Sequence, residues 1–386
     1  MAKNTLITIF GEHNESSLIL FKKYKFNNIK IIIDSNYENE KIDKLINIYK
    51  QYNKDMHIEI INKKDINLID NTGKEVLNLT IDNTLDALKY LSKCIEYNIE
   101  SVYVDISNKR EYWFKNGVEL IEEELADLDV DDIIEANGNN IISYECKINK
   151  DNNIIDFTKI IHKNIDLWHK YKQKLYDTSL FEHDYNNPQL VKVNLYKLDS
   201  NEKKLLLNII DKLKKLNLIK VSKNNDNSID VIFLNDKLKA FIFKSGTWLE
   251  ILTESVVKEI STIDDVKSGV VFFWNEPKGN IKNELDVVAV KDSIMVVISC
   301  KDSSKYDENT LNELKVYSDK LGGENTKKIL VATKRPIKTS IFDRAKEMDI
   351  NIVILDKDLN KFKKDLEFTM STNQTPPLPP TPEHRD

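Results

Sequence analysis

Short apolar runs alternate with amphipathic stretches along the first 105 residues of the chain. The runs are rich in β-branched residues and end at polar turns, and the stretches between them have the apolar spacing of helices. Continuous apolar strands separated by helices are typical of a parallel sheet that is covered on both faces. The predicted strands are residues 5–10, 29–33, 57–61, 76–79 and 101–104, and the predicted helices are residues 15–26, 38–52 and 84–97.

The carboxyl ends of these strands are the expected place for a ligand, because open parallel sheets bind ligands there. Polar turns follow the strands at residues 11–14, 34–36 and 80–84. The same residue types are good helix caps, so each polar side chain in these turns is either a ligand contact or an N-cap.

The middle of the chain has a different pattern. Residues 153–177 and 201–216 have helical periodicity, and the second stretch is strongly amphipathic. Apolar segments at 219–221 and 230–234 then flank a polar turn, and another follows at 240–243. A helix followed by a hairpin resembles a winged-helix module. The alternative is a connector between two domains, because the helix lacks a cluster of residues that could read bases.

The last third of the chain predicts a second α/β unit with the order αβββαβαβ. The predicted strands are one that ends at residue 274 and those at 283–290, 294–301, 326–333 and 351–355, and the predicted helices are residues 246–260, 306–320 and 339–347. Residues 371–386 are polar and rich in proline, which indicates a disordered tail or an expression remnant.

Composition and charge narrow the class of protein. Hydrophobic residues make up 41% of the chain and charged residues 31%, as in ordinary globular proteins. No apolar run approaches the roughly 20 residues that span a bilayer, and the N-terminus lacks the pattern of a signal peptide. The net charge of −6 means that any surface for nucleic acid must be local. Cys94, Cys146 and Cys300 form no CxxC pair, which favours a reducing cytoplasm over a disulfide or zinc framework.

An acid and a lysine on neighbouring strands are the most informative pattern in the chain. Asp286 lies in the strand at 283–290, and Lys301 ends the following strand, so both side chains can project into one site. Glu250, on the preceding helix, can reach the same point. A divalent metal held by these acids would stabilise charge on a phosphodiester and activate a water molecule, and the lysine would assist that water.

This pattern resembles the PD-(D/E)xK superfamily of restriction-endonuclease-like nucleases, with residues 284–286 (ELD) and 299–301 (SCK) as the two halves of its motif. Ser299 stands where the superfamily has an acid, and a hydroxyl is a poorer ligand for Mg²⁺ than a carboxylate. Glu250, Asp286 and the backbone carbonyl of Cys300 are then the candidate metal ligands. The alternative is that the domain is weak or inactive.

Three of these residues have other interpretations. Glu250 could complete a capping box with Thr247 and serve only the helix terminus. Glu284 is a further candidate catalytic acid, or an ordinary polar residue of its strand. Cys300 is interpreted as a small buried residue and not as a nucleophile, because no histidine accompanies it in the sequence nearby.

The chain as a whole resembles the Can/Card group of CRISPR-associated nucleases, in which a Rossmann-like CARF domain is fused to a nuclease domain of this type. The resemblance spans most of residues 1–370, and its strongest parts are the segments GTWLE, NELDVV and ISCK. In the N-terminal domain, residues 77–87 are similar to the family's NxTGGTK strand, turn and helix. Ile81 and Asp82 replace the two glycines of that pattern, and Thr84 replaces its lysine.

The resemblance implies a cytoplasmic homodimer, activated by a cyclic oligoadenylate (cyclic tetra-adenylate first) and cleaving DNA, RNA or both with Mn²⁺ or Mg²⁺. It implies ligand contacts from Gly11, His13, Asn14, Ser35, Thr80, Asn83 and Thr84. Two alternatives remain open: a restriction or repair endonuclease outside CRISPR defence, and an inactive nuclease-like regulator that binds DNA. Metal-dependent cleavage and dependence on a cyclic oligoadenylate separate the three.

The sequence therefore predicts an α/β protein of three domains. These are an N-terminal Rossmann-like, CARF-like parallel-sheet domain, a helical and winged-helix-like connector, and a C-terminal restriction-endonuclease-like α/β domain. The expected boundaries are 1–145, 146–244 and 245–370, with the tail at 371–386.

Overall fold

The computed structural model describes residues 4–34, 39–63, 74–144, 152–225, 227–243, 246–275, 279–323 and 325–377. Within these ranges the chain forms three sheets with helices packed against them. None of the helices in the described part of the chain has both the length and the apolar character needed to cross a membrane.

A seven-stranded sheet forms the N-terminal domain, with the order β3-β2-β1-β4-β5-β6-β7. Its elements are β1 (Thr5–Ile9), α1 (Glu15–Tyr24), β2 (Asn28–Ile33), α2 (Asn39–Tyr52), β3 (His57–Asn62), β4 (Glu75–Asn78), α3 (Thr84–Tyr97), β5 (Glu100–Asp105), β6 (Arg110–Phe114), β7 (Val118–Ile121) and α4 (Val130–Ala136). Strands β1 to β5 are parallel, which confirms the five predicted strands and the three predicted helices. Because β2 and β4 lie on opposite sides of β1, the order of the strands reverses there, and a cleft is expected at the carboxyl ends of β1 and β4.

The hairpin β6–β7 was not predicted from the sequence, and it extends the sheet with antiparallel pairing. Glu111 in β6 is fully buried, and its carboxylate accepts hydrogen bonds from Lys23, Tyr24 and Trp113. A charged residue at a buried position hides the alternation of apolar and polar residues by which such strands are recognised.

The connector follows β8 (Ile141–Tyr144) and has a four-stranded sheet of its own, with the order β11-β12-β10-β9. Its elements are α5 (Asn152–Lys163), α6 (Ile165–Tyr171), a 3-10 helix (Lys172–Tyr176), β9 (Phe181–His183), β10 (Leu190–Asn194), a 3-10 helix (Leu195–Lys197), α7 (Ser200–Lys215), β11 (Ile219–Asn225), β12 (Ser228–Phe233) and α8 (Asp236–Phe243). The amphipathic helix and the hairpin after it are confirmed. The helix predicted at 153–177 is instead broken at Asn164, and the apolar segment at 240–243 belongs to helix α8.

The C-terminal domain contains a six-stranded sheet with the order β17-β16-β15-β14-β13-β8. Its elements are α9 (Thr247–Lys258), β13 (Asp265–Asn275), β14 (Gly279–Lys291), β15 (Ile294–Lys301), α10 (Glu308–Gly322), β16 (Lys327–Ala332), α11 (Ser340–Glu347), β17 (Ile350–Ile354) and α12 (Leu359–Thr372). The predicted order of elements is confirmed, and β8 adds a strand from the end of the N-terminal domain.

Helix α12 was not predicted, and it extends the ordered chain beyond residue 370. Asp358 caps the helix, and Phe362, Leu366 and Met370 are buried along one face. The hydroxyl of Thr375 then donates a hydrogen bond of 3.1 Å to a side chain of β17. The expected tail at 371–386 therefore begins inside the helix, and its last part, 378–386, lies outside the described residues.

The N-terminal and C-terminal domains share a hydrophobic core. Val130 and Ile133 of α4 belong to the same buried cluster as Val288 and Val290 of β14. Burial of apolar surface between two domains holds them together, so α4 is a structural link between the N-terminal and C-terminal domains.

Candidate nuclease site and candidate ligand-binding cleft

Strands β14 and β15 separate at Asp286. Their nearest backbone pair is Val287 with Ile298, and beyond that pair the Asp286 carboxylate accepts the N–H of Cys300 at 2.6 Å. The carboxylate thus supplies the acceptor that the neighbouring backbone no longer provides. The hydroxyl of Ser299 donates to the same oxygen, Oδ2, at 3.2 Å. Ser299, in the position of the missing acid, therefore helps to hold Asp286.

Gly269 lies next to Asp286 on the other neighbouring strand, β13. The pairs on either side of it in the β13–β14 ladder leave Gly269 opposite Asp286. Its φ of 58° lies in the left-handed region, which glycine adopts far more easily than other residues. A residue with a side chain would therefore be strained at this position of β13.

Asp286, Lys301 and Glu250 line one cavity of about 430 Å³. Nζ of Lys301 lies 3.9 Å from Oδ2 of Asp286. Lys305 and Lys334 add positive charge to the lining, and the connector contributes part of the wall. The structure therefore brings these three predicted residues together. Glu284 is exposed on β14 and is not part of this lining.

Glu250 does not belong to a capping box. Helix α9 begins at Thr247, and its N-cap is Gly246, which has no side chain that could accept a capping hydrogen bond. A capping box would need Thr247 itself at the N-cap position. The capping box with Thr247 is therefore not formed, and the metal-binding role of Glu250 stays a prediction.

Cys300 is buried, and its thiol contacts the Thr253 hydroxyl. Burial, reinforced by the negative charges of Asp286 and Glu250, raises the pKa of the Cys300 thiol well above its usual range. A thiol that stays protonated is a poor nucleophile. Cys300 is thus a buried structural residue, as the sequence indicated.

Two carboxylates are the main donors that this cavity offers to a metal. Among the described residues, no group of three or more His, Cys, Asp or Glu side chains is arranged to hold a metal ion. Glu250 and Asp286 nevertheless line the same cavity, together with Cys300. Two carboxylates suit Mg²⁺ or Mn²⁺, because such ions keep water ligands and bind substrate phosphate oxygens. The residues present therefore fit a hard divalent cation.

Asp302, which follows Lys301, was not identified from the sequence. Its side chain is 1% exposed, and it accepts hydrogen bonds from Trp168, His169, Trp248 and Thr333. Burial alone would raise the pKa of this carboxyl. The hydrogen bonds from His169, Trp168 and Trp248, with the charge of Lys172, outweigh that effect and hold the pKa well below its usual range.

The turns after β1 and β4 meet at the edge of the N-terminal sheet. Oδ2 of Asp82 accepts the N–H of Glu12 at 2.7 Å, and a Cβ on Gly11 would come within 2.4 Å of that oxygen. Oγ of Ser16 donates to the carbonyl of Thr80 at 3.4 Å. The two turns that were predicted to bind a ligand therefore lie together, and the Asp82 carboxylate of the chain itself accepts the backbone N–H of Glu12 there.

Several side chains predicted to contact a ligand make hydrogen bonds within the chain that hold these turns. The Asn14 side chain bonds to both polar backbone atoms of Gly11 at 3.1 Å. The Thr80 hydroxyl accepts the N–H of Val104 at 2.7 Å, and Asn83 caps α3. Thr84 is exposed at the start of α3. Ser35, the remaining candidate, lies outside the described residues.

His13 and Glu15 face the nuclease-like domain. The His13 ring lies against Gly323, just beyond α10, and its Nδ1 is 3.8 Å from Oε1 of Glu15. Nδ2 of Asn137 donates to that Glu15 oxygen at 2.6 Å and to the carbonyl of Leu321 at 3.0 Å. Burial raises the pKa of Glu15, although the charge of His13 and the hydrogen bond from Asn137 oppose it. No sequence signal marked Asn137, because its partners are distant in the chain.

Comparisons with known proteins found a similar family model and similar solved folds. Residues 236–372 match the family model of the Card1-like endonuclease domain. The fold is similar to the crystal structure of protein VC1899 from Vibrio cholerae, with a TM-score of 0.76 and 18% identity over 96% of this chain and 99% of that one. It is also similar to the structure of Can2 from Sulfobacillus thermosulfidooxidans in complex with cyclic tetra-adenylate, with a TM-score of 0.66 and 18% identity over 96% and 98%.

A further solved structure, of a type III CRISPR defence DNA nuclease activated by cyclic oligoadenylate, has a TM-score of 0.50 and 10% identity, and the match covers 90% of this chain and 52% of that one. No curated protein matches the chain at a significant level. The fold of the whole chain and the sequence of its last third are thus both similar to nucleases of this group. The resemblance to the Can/Card nucleases is confirmed, and residues 236–372, which include most of the C-terminal domain, match the Card1-like endonuclease model.

Proposed function

We propose that the chain is a metal-dependent endonuclease of type III CRISPR defence, activated by a cyclic oligoadenylate. The observation that carries the proposal is the cavity that joins Glu250, Asp286 and Lys301 within the Card1-like endonuclease segment. The fold shared with a protein solved with cyclic tetra-adenylate supports that molecule as the activator. The substrate is DNA, RNA or both.

Glu250 and Asp286 would hold Mn²⁺ or Mg²⁺, with the backbone carbonyl of Cys300 as a further donor. The ion supplies charge stabilisation at the phosphodiester and a more acidic water. Ser299 and the N–H of Cys300 fix the Asp286 carboxylate. The ammonium of Lys301 orients the attacking water or stabilises charge on the phosphorus centre.

The activator would bind at the carboxyl ends of β1 and β4, where the turns at Gly11 and Thr80 meet. The hydrogen bond from Glu12 N–H to Asp82 would have to open for a phosphate to use that N–H. Exposed Asn83 and Thr84 are further contacts at the N-terminus of α3, where backbone N–H groups favour anions.

A homodimer would form through helix α3. This helix exposes an apolar stripe beside the proposed cleft, with Leu85 60%, Leu88 58% and Ile95 72% exposed. Contiguous apolar surface marks interaction sites, and a self-complementary surface suits a two-fold dimer. Ile95→Lys should shift the protein towards the monomer in sedimentation. Ile337→Lys, at an equally exposed isoleucine of the nuclease-like domain (71%), is the matched control and should leave the dimer intact.

The experiment that tests the proposed function uses the full chain with Mn²⁺, with and without cyclic tetra-adenylate, on circular DNA and on labelled single-stranded DNA and RNA. Cleavage that needs both the metal and the activator is expected. Cleavage that is the same with and without the activator would favour an endonuclease outside CRISPR defence. No cleavage of any substrate, together with DNA binding, would favour the inactive regulator.

A further inference from the structure

Asp302 connects the elements that surround the nuclease cavity. It follows Lys301 at the end of β15 and accepts a hydrogen bond of 2.9 Å from the indole N–H of Trp248 in α9, two positions before Glu250. It also accepts a bond of 2.7 Å from the indole N–H of Trp168 in α6 of the connector. One buried carboxylate thus joins the helix of Glu250, the strand of Lys301 and the connector.

The connector is held at this point by two further contacts. Nε2 of His169 lies 2.9 Å from Oδ1 of Asp302, and Nζ of Lys172 lies 3.1 Å from Oδ2 and also donates to the Asp302 backbone carbonyl. These residues, with Gln173 and Tyr176 of the same segment, line the cavity that contains the candidate catalytic groups. The cavity wall is therefore completed by a domain outside the Card1-like segment.

The charge of Asp302 is well matched by its surroundings. A buried carboxylate is costly unless it is paired and hydrogen-bonded, and here Lys172 and the donors of four side chains surround a group that is 1% exposed. Hydrogen bonds to a charged acceptor are stronger and more directional than those to a neutral one. Such a group fixes the relative positions of its partners more firmly than apolar packing of the same area.

We propose that Asp302 is a positioning residue of the nuclease site, acting through Trp248 on the helix that carries Glu250 and through Trp168, His169 and Lys172 on the connector wall that receives the nucleic acid. The proposal rests on the proposed function. Asp302 itself does not touch the reacting atoms. Asp302 acts on α9 through the indole of Trp248 and on the connector through the indole of Trp168, and each hydrogen bond can be removed separately.

The test uses a matched pair of variants in the full chain. Trp248→Phe and Trp168→Phe each remove one indole N–H that donates to the same oxygen, Oδ2 of Asp302, and each keeps an aromatic ring. Mn²⁺ binding is measured by electron paramagnetic resonance without nucleic acid. Binding of a labelled single-stranded oligodeoxynucleotide is measured by fluorescence anisotropy with Ca²⁺ in place of Mn²⁺. Thermal unfolding of both variants is followed alongside.

We expect the two variants to differ in which ligand they bind less well. Trp248→Phe should weaken Mn²⁺ binding about tenfold, the lower end of the effect of losing a group that supports a metal ligand, and leave binding of the oligonucleotide within about twofold. Trp168→Phe should show the reverse, with weaker oligonucleotide binding and a higher KM at unchanged kcat. If Asp302 served folding alone, both variants would have a lower melting temperature, and they would not differ from each other in Mn²⁺ binding or in oligonucleotide binding.

Three outcomes would overturn the inference. Both variants could bind both ligands as the wild type does, or both could lose both ligands equally, while the wild type binds Mn²⁺ and cleaves; either result would reject this inference alone. A wild-type protein that neither binds Mn²⁺ nor cleaves would reject the proposed function and this inference with it. If Trp168→Phe does not fold, His169→Phe, which removes the ring nitrogen next to Oδ1 of Asp302 and keeps an aromatic ring, replaces it with the same expectation for the oligonucleotide.

Discussion

Asp302 and Glu15 are both buried carboxylates, one in the nuclease-like domain and one in the N-terminal domain, and their surroundings have opposite effects. Asp302 is surrounded by donors from three elements and by Lys172, which hold its pKa well below the usual range. Burial raises the pKa of Glu15, and the charge of His13 and the hydrogen bond from Asn137 oppose it without cancelling it. The first carboxylate is stabilised in its charged form and the second is not.

This difference between Asp302 and Glu15 fits the two proposed roles, catalysis in the C-terminal domain and control by the activator in the N-terminal domain. A catalytic site gains from groups that are already in place before the substrate arrives. A ligand can drive a conformational change only if it interacts differently with the two states. Poorly compensated contacts such as those of Glu15 can be exchanged at low cost, whereas those of Asp302 cannot. The comparison predicts that substitutions on the nuclease side remove activity and that those on the N-terminal side change its control.

The largest effect is expected for Asp286→Asn. The substitution keeps the size of the side chain but removes the charge for the metal, and cleavage should fall by about a thousandfold or more at every activator concentration. The measurement is cleavage of a labelled oligonucleotide at saturating Mn²⁺. Glu284→Gln, on the same strand but outside the cavity lining, should retain much more activity than Asp286→Asn. If both variants lost the same activity, the assignment of the catalytic acid to the residue that lines the cavity would be wrong.

A smaller effect of opposite sign is expected for Asp82→Asn. The substitution removes a negative charge from the backbone N–H of Glu12, so cyclic tetra-adenylate should bind about tenfold more tightly. Calorimetry measures this directly. Asp55→Asn, an exposed residue at the opposite edge of the same sheet, is the control and should bind the activator as the wild type does. Weaker binding by Asp82→Asn would mean that the carboxylate itself contacts the ligand.

Asn137→Ala tests whether the contacts of Glu15 carry the control. It removes the bonds from Asn137 to Glu15 and to the Leu321 carbonyl, and activation by cyclic tetra-adenylate should fall at least about fivefold, the lower range of allosteric coupling. The ratio of cleavage rates with and without the activator is the measurement. Ser107→Ala removes another bond between the two domains, from Ser107 to Asn325, and should leave that ratio unchanged.

The smallest effect is a pH dependence of stability at Glu15. Its folded pKa is raised above the ordinary value of about 4.3. The stability linked to this group is therefore full below that value and is lost as the pH rises through the folded pKa. Relative to the wild type, Glu15→Gln should gain a few degrees in melting temperature at about pH 8 and less at about pH 4.5. His13, Asn137 and Asp82 face the carboxyl and are unchanged in the variant. A gain that is equal at both pH values would assign the effect to packing.

The sequence predicted the fold well where apolar patterns are local. The five parallel strands and the order of the nuclease-like domain follow from continuous apolar runs, and each was confirmed. The strand with buried Glu111 was missed because its polar residue is compensated by Lys23 and Tyr24 from another element. Such compensation depends on the tertiary structure, so no local pattern reports it.

The same limit applied to the candidate sites. Asp286, Lys301 and Glu250 were identified because metal-dependent cleavage needs particular residue types at a recognisable spacing, and the structure brings them to one cavity. Asp302 and Asn137 were missed, because their importance comes from partners more than a hundred positions away, such as Trp168 and Glu15. Residues whose role follows from their own chemistry could be predicted from the sequence. Residues whose role follows from contacts with distant parts of the chain could not.

The pairing of β8 with β13 has a consequence for how the nuclease-like domain can be studied in isolation. Residues 141–144 lie far outside the Card1-like segment, yet they cover one edge of its sheet. A fragment that begins at residue 236 would present β13 as an open edge with unpaired backbone groups, which is the usual starting point for aggregation. The smallest piece that could be purified as a stable protein therefore begins before β8, and the unit defined by sequence similarity is smaller than the unit that folds.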